Sequence, residues 1–121
     1  MPNSISYDKS SGIYKVQASG IITIDDILES IADLEKLGVT NKLIYVLIDT
    51  LRQTSELSIL DVEKVANAMP DKNRIKSAIL TTSSHINFSE QTVLEKTAND
   101  MNKAIQVFTD RDDAINWLLG E

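Results

Sequence analysis

Leu43-Ile44-Tyr45-Val46-Leu47-Ile48, bounded by Lys42 and Asp49, is the longest apolar run in the chain. Six residues with several β-branched members suit a strand buried on both faces, hence a central strand of a parallel sheet. Amphipathic helices are predicted on either side of it. Before it, Ile24, Ile27, Leu28, Ile31 and Leu34 fall on one face at helical spacing. Thr23 is the expected N-cap there, with Asp26 three residues on as a short capping box, and Gly38 stands where a left-handed C-terminal cap belongs. After it, Ser58 is placed to cap a helix with Ile59, Val62, Val65, Ala66 and Met69 on its inner face and Pro70 beyond its end.

Further out, Ile75 to Leu80 reads as another strand, and a third helix is expected from a cap near Asn87 or Ser89, with Val93, Leu94, Thr97, Ala98 and Met101 on one stripe. Ile105, Val107 and Phe108 make a last short strand. Thr109 or Asp110 then caps a final helix carrying Ala114, Ile115, Trp117 and Leu118. At the other end, Ile5 and Tyr7 alternate with polar residues, the turn cluster Asp8-Lys9-Ser10-Ser11-Gly12 follows, and Ile13, Tyr14, Val16 and Ala18 form a second strand closed by Gly20. Two strands joined by so short a loop predict an antiparallel hairpin. The order ββαβαβαβα gives an α/β fold: a mixed sheet with an N-terminal antiparallel hairpin, then parallel strands with right-handed crossovers, and about four helices. At 121 residues it forms one domain, 1–121.

Composition removes several function classes. A net charge of −6 disfavours nucleic-acid backbones and anionic membrane surfaces. The absence of cysteine excludes disulfides, thiolate catalysis and zinc–sulfur sites, and a single histidine excludes a His-rich metal site, so neither metal nor cofactor is expected. Four glycines, at 12, 20, 38 and 120, form no phosphate-binding loop. A six-residue apolar run falls far short of the ~20 needed to span a bilayer. Met-Pro-Asn-Ser lacks the regions of a signal peptide, which gives cytoplasmic location as the expectation.

The element order, Gly20 near the end of the second strand, the strand-plus-aspartate Leu43 to Asp49, and the closing Val107-Phe108-Thr109-Asp110-Arg111-Asp112-Asp113-Ala114-Ile115-Asn116-Trp117-Leu118 together carry a resemblance. The chain resembles the STAS domain, the SpoIIAA-like fold of anti-sigma-factor antagonists and sulfate-transporter tails, and is similar to bacterial SpoIIAA-like proteins of STAS/SEC14 type. The resemblance implies a non-enzymatic regulatory module acting through protein partners. In anti-sigma-factor antagonists a serine at the start of the helix after the central strand is phosphorylated, in a pattern like Asp-Ser-x-Gly. Counted from Asp49, the matching position is Ser58, but Leu57 precedes it and Ile59 and Leu60 follow, so the aspartate and glycine are missing.

Ser58 therefore has two readings, a helix cap and a phosphoacceptor, and capping is the commoner use of such a position. The interaction surface expected from the resemblance runs from Asp49 through Thr54 and Ser55 to Ser58. The carboxyl edge of the parallel strands also gathers Thr82, Ser84 and His85 as a candidate ligand edge. A hydrolase built on Ser84, His85 and Asp49 is the weaker alternative: adjacent Ser84 and His85 point apart, and no Gly-x-Ser-x-Gly elbow is present. The other alternative is a small apolar or lipid-like ligand, as the SEC14 comparison suggests, in a cleft beside the helices bearing Met69 and Met101. Asp25, Asp26, Glu29, Asp33 and Glu35 read as a solvated helix face, and Asp110, Asp112 and Asp113 as capping and dipole residues. An uncovered hairpin edge is also a template for a second copy of the chain, in a homodimer.

Overall fold

In the computed structural model the described residues are 3–20, 23–37, 43–53, 59–69, 75–81, 95–97 and 99–120. The run that opens the sequence reading lies in β3 (Ile44–Gln53), the middle strand of a five-stranded sheet. Successive side chains of a strand point to opposite faces. Ile44 and Val46 accordingly enter one core cluster, and Leu47 a second one on the other side of the sheet, with Tyr45 packed against it.

The strands β1 (Asn3–Asp8), β2 (Ile13–Gly20), β3, β4 (Ile75–Leu80) and β5 (Ala104–Phe108) lie side by side in chain order. β1 and β2 are antiparallel and every later pair is parallel. The loop of the hairpin is held by Asp8. Its Oδ1 accepts the Ser10 N–H at 3.0 Å and the Ser10 hydroxyl at 2.7 Å, and its Oδ2 accepts the Ser11 hydroxyl at 3.0 Å. Gly12 donates its N–H to the Asp8 carbonyl at 2.8 Å with φ +75°, a left-handed conformation that a Cβ would strain.

Helices α1 (Ile24–Leu37) and α2 (Ile59–Ala68) both pack on the first face. Crossovers of one hand between successive neighbours put their helices on the same side of the sheet, so the strand order accounts for this. The expected capping box of α1 is present and reciprocal: the Thr23 N–H donates to Asp26 Oδ2 at 2.9 Å, and the Asp26 N–H to Thr23 Oγ1 at 3.2 Å. Ile31 and Leu34 of α1, and Val65 and Ala66 of α2 with Met69 beyond it, are buried against Val16, Val46, Ile75 and Ile105. Ser77 is also fully buried on this side, and its hydroxyl has no hydrogen-bond partner among the described residues. The opposite face is closed by α3 (Arg111–Leu119), whose Ala114 and Leu118 pack on Ile13, Leu47, Ala78 and Leu80. Trp117 meets Phe108 at 5.7 Å between ring centroids, which packs α3 onto the end of β5. Asp110 is the N-cap of α3, accepting the Asp112 and Asp113 N–H groups at 2.8 and 3.1 Å.

Two lysines at the amino ends of strands close the carboxyl ends of helices. Lys76 Nζ donates to the Trp117 and Leu118 carbonyls and sits 4.5 Å from the centre of the Trp117 ring. Lys103 Nζ donates to the Asn67 and Met69 carbonyls at the end of α2. Each ammonium adds a donor to carbonyls at the negative end of a helix dipole, where the last turn has fewer backbone partners.

Three expectations need correction. The central strand does not stop at Ile48 but continues through Asp49 to Gln53, because the polar residues beyond Ile48 go on pairing with β2; at the other end Leu43 lies outside the strand and is exposed. Met101, expected on the inner stripe of the third helix, is exposed in the turn that follows helical residues 99 and 100. That turn is ended by Asn102 at φ 61°, which carries the chain away before Met101 is covered. Tyr7 alternates as expected but is 51% exposed. The expected caps Gly38 and Ser58, the caps near Asn87 and Ser89, and the inner residues Val93, Leu94 and Ala98 lie outside the described residues.

Leu47 is almost fully buried on the α3 side, so Leu47→Ala is expected to cost about 2–5 kcal/mol in urea denaturation, and a cost under about 1 kcal/mol contradicts its placement. The Asp8 carboxyl is held below its ordinary value of 3.8, first by the Ser10 hydroxyl, then by the Ser10 N–H and the Ser11 hydroxyl, with Lys15 adding a smaller pull. A depressed carboxyl stabilises the fold above its unfolded-state value, and that stabilisation is lost as pH falls through the lower folded value. Asp8→Asn is therefore expected to flatten the acid limb of a plot of urea midpoint against pH.

Candidate functional site

The carboxyl edge of the parallel strands is where the described residues bring polar side chains from distant parts of the chain together. β4 ends at Leu80, opposite Asp49, and β3 runs on beside β2 alone. Between the pairs Gln17↔Asp49 and Ser19↔Arg52, β2 advances from 17 to 19 while β3 advances from 49 to 52. The extra residue makes a β-bulge around Thr50 and Leu51, a device that bends a strand and re-aims its side chains.

Asp49 sits at this bulge with its side chain 15% exposed. Its Oδ1 accepts the Leu51 N–H at 2.9 Å, and its Oδ2 accepts the Arg111 guanidinium at 2.9 Å. Arg111 is the first residue of α3, so the ion pair fastens the start of that helix to the middle of β3 across 62 residues of sequence. Beside it, the Thr50 hydroxyl donates to the Leu80 carbonyl at 2.8 Å, and the Thr81 N–H donates to the Phe108 carbonyl at 2.9 Å. Four segments are thereby stitched together along one edge.

This arrangement is suited to holding a surface in shape. A catalytic carboxylate has to address a proton on the substrate or on a neighbouring base, whereas each oxygen of Asp49 is already held by a donor within the fold. Strand order runs from β1 to β5 without reversal, so among the described strands the sheet lacks the reversal at which open α/β sheets form a ligand crevice. Among the described residues no group of three or more His, Asp or Glu side chains could hold a metal ion, and no helix is long and apolar enough to cross a membrane.

Of the site residues singled out in the sequence, Asp49 is described, and Thr54, Ser55, Ser58, Thr82, Ser84 and His85 lie outside the described residues. Only Asp49 of the Ser84, His85 and Asp49 set is thus located, and it is held by Arg111. Met69, one of the two residues named for an apolar cleft, is packed in the core, and Met101 is exposed. Sequence reasoning missed Arg111. A signal was present: a cation at the first position of a helix opposes the dipole, and here it stands among Asp110, Asp112 and Asp113. A charge so placed calls for an anion elsewhere in the fold.

No protein-family model matches the sequence, and no curated protein does. Solved structures do match. An uncharacterised protein of the DUF3478 family from Shewanella loihica PV-4, described as having a SpoIIAA-like fold, superposes with a TM-score of 0.58 at 21% identity, covering 96% of this chain and 91% of that one. The fold is SpoIIAA-like. A second structure with this fold, an anti-sigma factor antagonist from Mycobacterium paratuberculosis, gives a TM-score of 0.57 at 11% identity, covering 97% of this chain and 92% of the other. Both likenesses span nearly the whole SpoIIAA-like sheet with its hairpin and helices, in agreement with the fold class expected from element order.

Removing either partner of the edge ion pair tests its structural role. Arg111 is 45% exposed, so Arg111→Ala is expected to cost less than about 1 kcal/mol. Asp49→Ala also orphans the Leu51 N–H and is expected to cost more, about 1–3 kcal/mol. Urea denaturation of both variants and the double variant checks this, with an expected coupling of about 0.2–1 kcal/mol.

Proposed function

We propose that this chain is a non-catalytic regulatory module that works through protein–protein contact in the cytoplasm. The observation carrying this reading is the shared architecture, over almost the entire chain, with a protein that by its name antagonises another protein, an anti-sigma factor. Two features of the carboxyl edge support it. Among the described strands the order lacks the reversal that opens a small-molecule crevice, and Asp49 and Thr50 of β3 fasten elements to one another.

The contact surface in this proposal is the connection from Asp49 through Thr54, Ser55 and Ser58 to the start of α2. Bulge and ion pair give that connection a fixed point of departure at β3, and α2 gives it a fixed end. Ser58 immediately precedes α2, where a phosphoryl group would be favoured by the helix dipole yet would repel an acidic partner. Leu57 and Leu60 stand where the antagonist pattern has aspartate and glycine, so any switch at Ser58 rests on charge at the helix start and not on that motif.

Affinity capture from a bacterial lysate with the wild type, Ser58→Ala and Ser58→Asp, read by quantitative mass spectrometry, tests the proposal. A protein partner is expected on the wild type and on Ser58→Ala and is expected to be lost on Ser58→Asp. Circular dichroism should remain unchanged, since Asp caps helices as well as Ser does. No partner, or the same partners on all three, overturns it.

A further inference from the structure

The two edges of the sheet are treated differently. At β5, the outward Val107 N–H donates to Glu95 Oε1 at 3.0 Å, so that edge is covered from a helical segment of the same chain. At β1, alternate residues turn N–H and C=O groups away from β2, and no described residue takes them up. Proteins blunt an open edge with lysine, proline, a bulge or a very short strand. β1 has none of these devices: it reads Asn-Ser-Ile-Ser-Tyr-Asp, and its register with β2 is unbroken from Asn3↔Ala18 to Asp8↔Ile13.

We propose that the outer edge of β1 pairs antiparallel with β1 of a second copy of this chain, about a two-fold axis passing through Ser6. Faces must match across a continuous sheet, so Ile5 and Tyr7 have to meet residues of their own face. The axis through Ser6 achieves this, setting Ile5 opposite Tyr7 of the second copy and Tyr7 opposite its Ile5. Pairs of an aromatic with a β-branched residue are among the favourable cross-strand neighbours. The pairing also covers Tyr7, which is 51% exposed although its ring lies 4.6 Å from that of Tyr14. On the other face, Ser6 meets Ser6 and Ser4 meets Asp8. No like charges are set opposite each other, even though each copy carries a net charge of −6. This self-complementarity selects a second copy as occupant over an unrelated strand. The result is one ten-stranded sheet, twice the five of a single chain, and it stands apart from the carboxyl-edge surface proposed above.

Sedimentation equilibrium over a dilution series is the test. The wild type is expected to show a reversible monomer–dimer equilibrium. Ser6 is exposed on the polar face, so Ser6→Lys should leave circular dichroism unchanged while setting two ammonium groups against each other. It is expected to be monomeric throughout, although it makes the chain less negative. Because the chain has no cysteine, Ser6→Cys under mild oxidation is expected to give a single disulfide-linked species of twice the chain mass. A wild type that stays monomeric overturns the proposal, whether or not an extended peptide adds to the same edge. So does a dimer that Ser6→Lys leaves intact and Ser6→Cys does not cross-link.

Discussion

Burial of β3 from both sides is the constraint on which the rest of the structure depends. A strand whose Ile44 and Val46 enter one core and whose Leu47 enters another cannot lie at an edge or face solvent. It requires neighbours on both sides and a layer of helix above and below. The chain meets that demand unequally: among the described residues α1 and α2 share one face, and α3 closes the other over β3, β4 and β5 and at Ile13 of β2. Where α3 does not reach, β1 and β2 present Ser4, Ser6, Lys15 and Gln17, so the polarity of the hairpin follows the limit of the helix that would otherwise cover it.

Charge has a local structural role that the net value conceals. The chain has 12 basic residues against 18 acidic ones. Lys76 and Lys103 lie at helix carboxyl ends, Lys15 faces Asp8, and Arg111 holds Asp49. Lys76 and Lys103 occupy equivalent positions, each near the amino end of a strand whose neighbouring helix finishes beside it. A lysine has three donors on a flexible stem and can take two carbonyls at once, which suits a frayed helix end better than a planar guanidinium does. The acidic groups fill the complementary role at helix starts, in Asp26 of α1 and in Asp110, Asp112 and Asp113 of α3.

Element order, the hairpin, both faces of the central strand, the cap at Thr23 and, to within one residue, the cap at Thr109 or Asp110 were legible in the sequence because each depends on near neighbours. Periodicity marks a buried face, and a capping box needs only four consecutive residues. Of the misjudged features, one depends on a distant partner and another on where a helical turn is left. Asp49 looks like the end of a strand until Arg111, 62 residues away, accounts for its carboxylate. Met101 has the right spacing for an inner stripe, but Asn102 ends the turn and the side chain stays outside. The candidate site was legible only at Asp49, and its fastening to Arg111 was not, because a charge on a helix start names no partner until the fold brings one near.

Because the strands stand in the sheet in the order in which they occur in the chain, each has only to dock on its immediate predecessor or successor. Among the described strands, none is inserted between two that are neighbours in sequence. Loop closure for such contacts is short compared with that of Greek-key or interleaved sheets, so the entropic cost of each pairing falls due in small steps. The sheet can then grow from the hairpin toward the carboxyl terminus as chain emerges. The second face of β3 is closed by the last helix of the chain, α3, and the Asp49–Arg111 pair joins that helix to the middle strand.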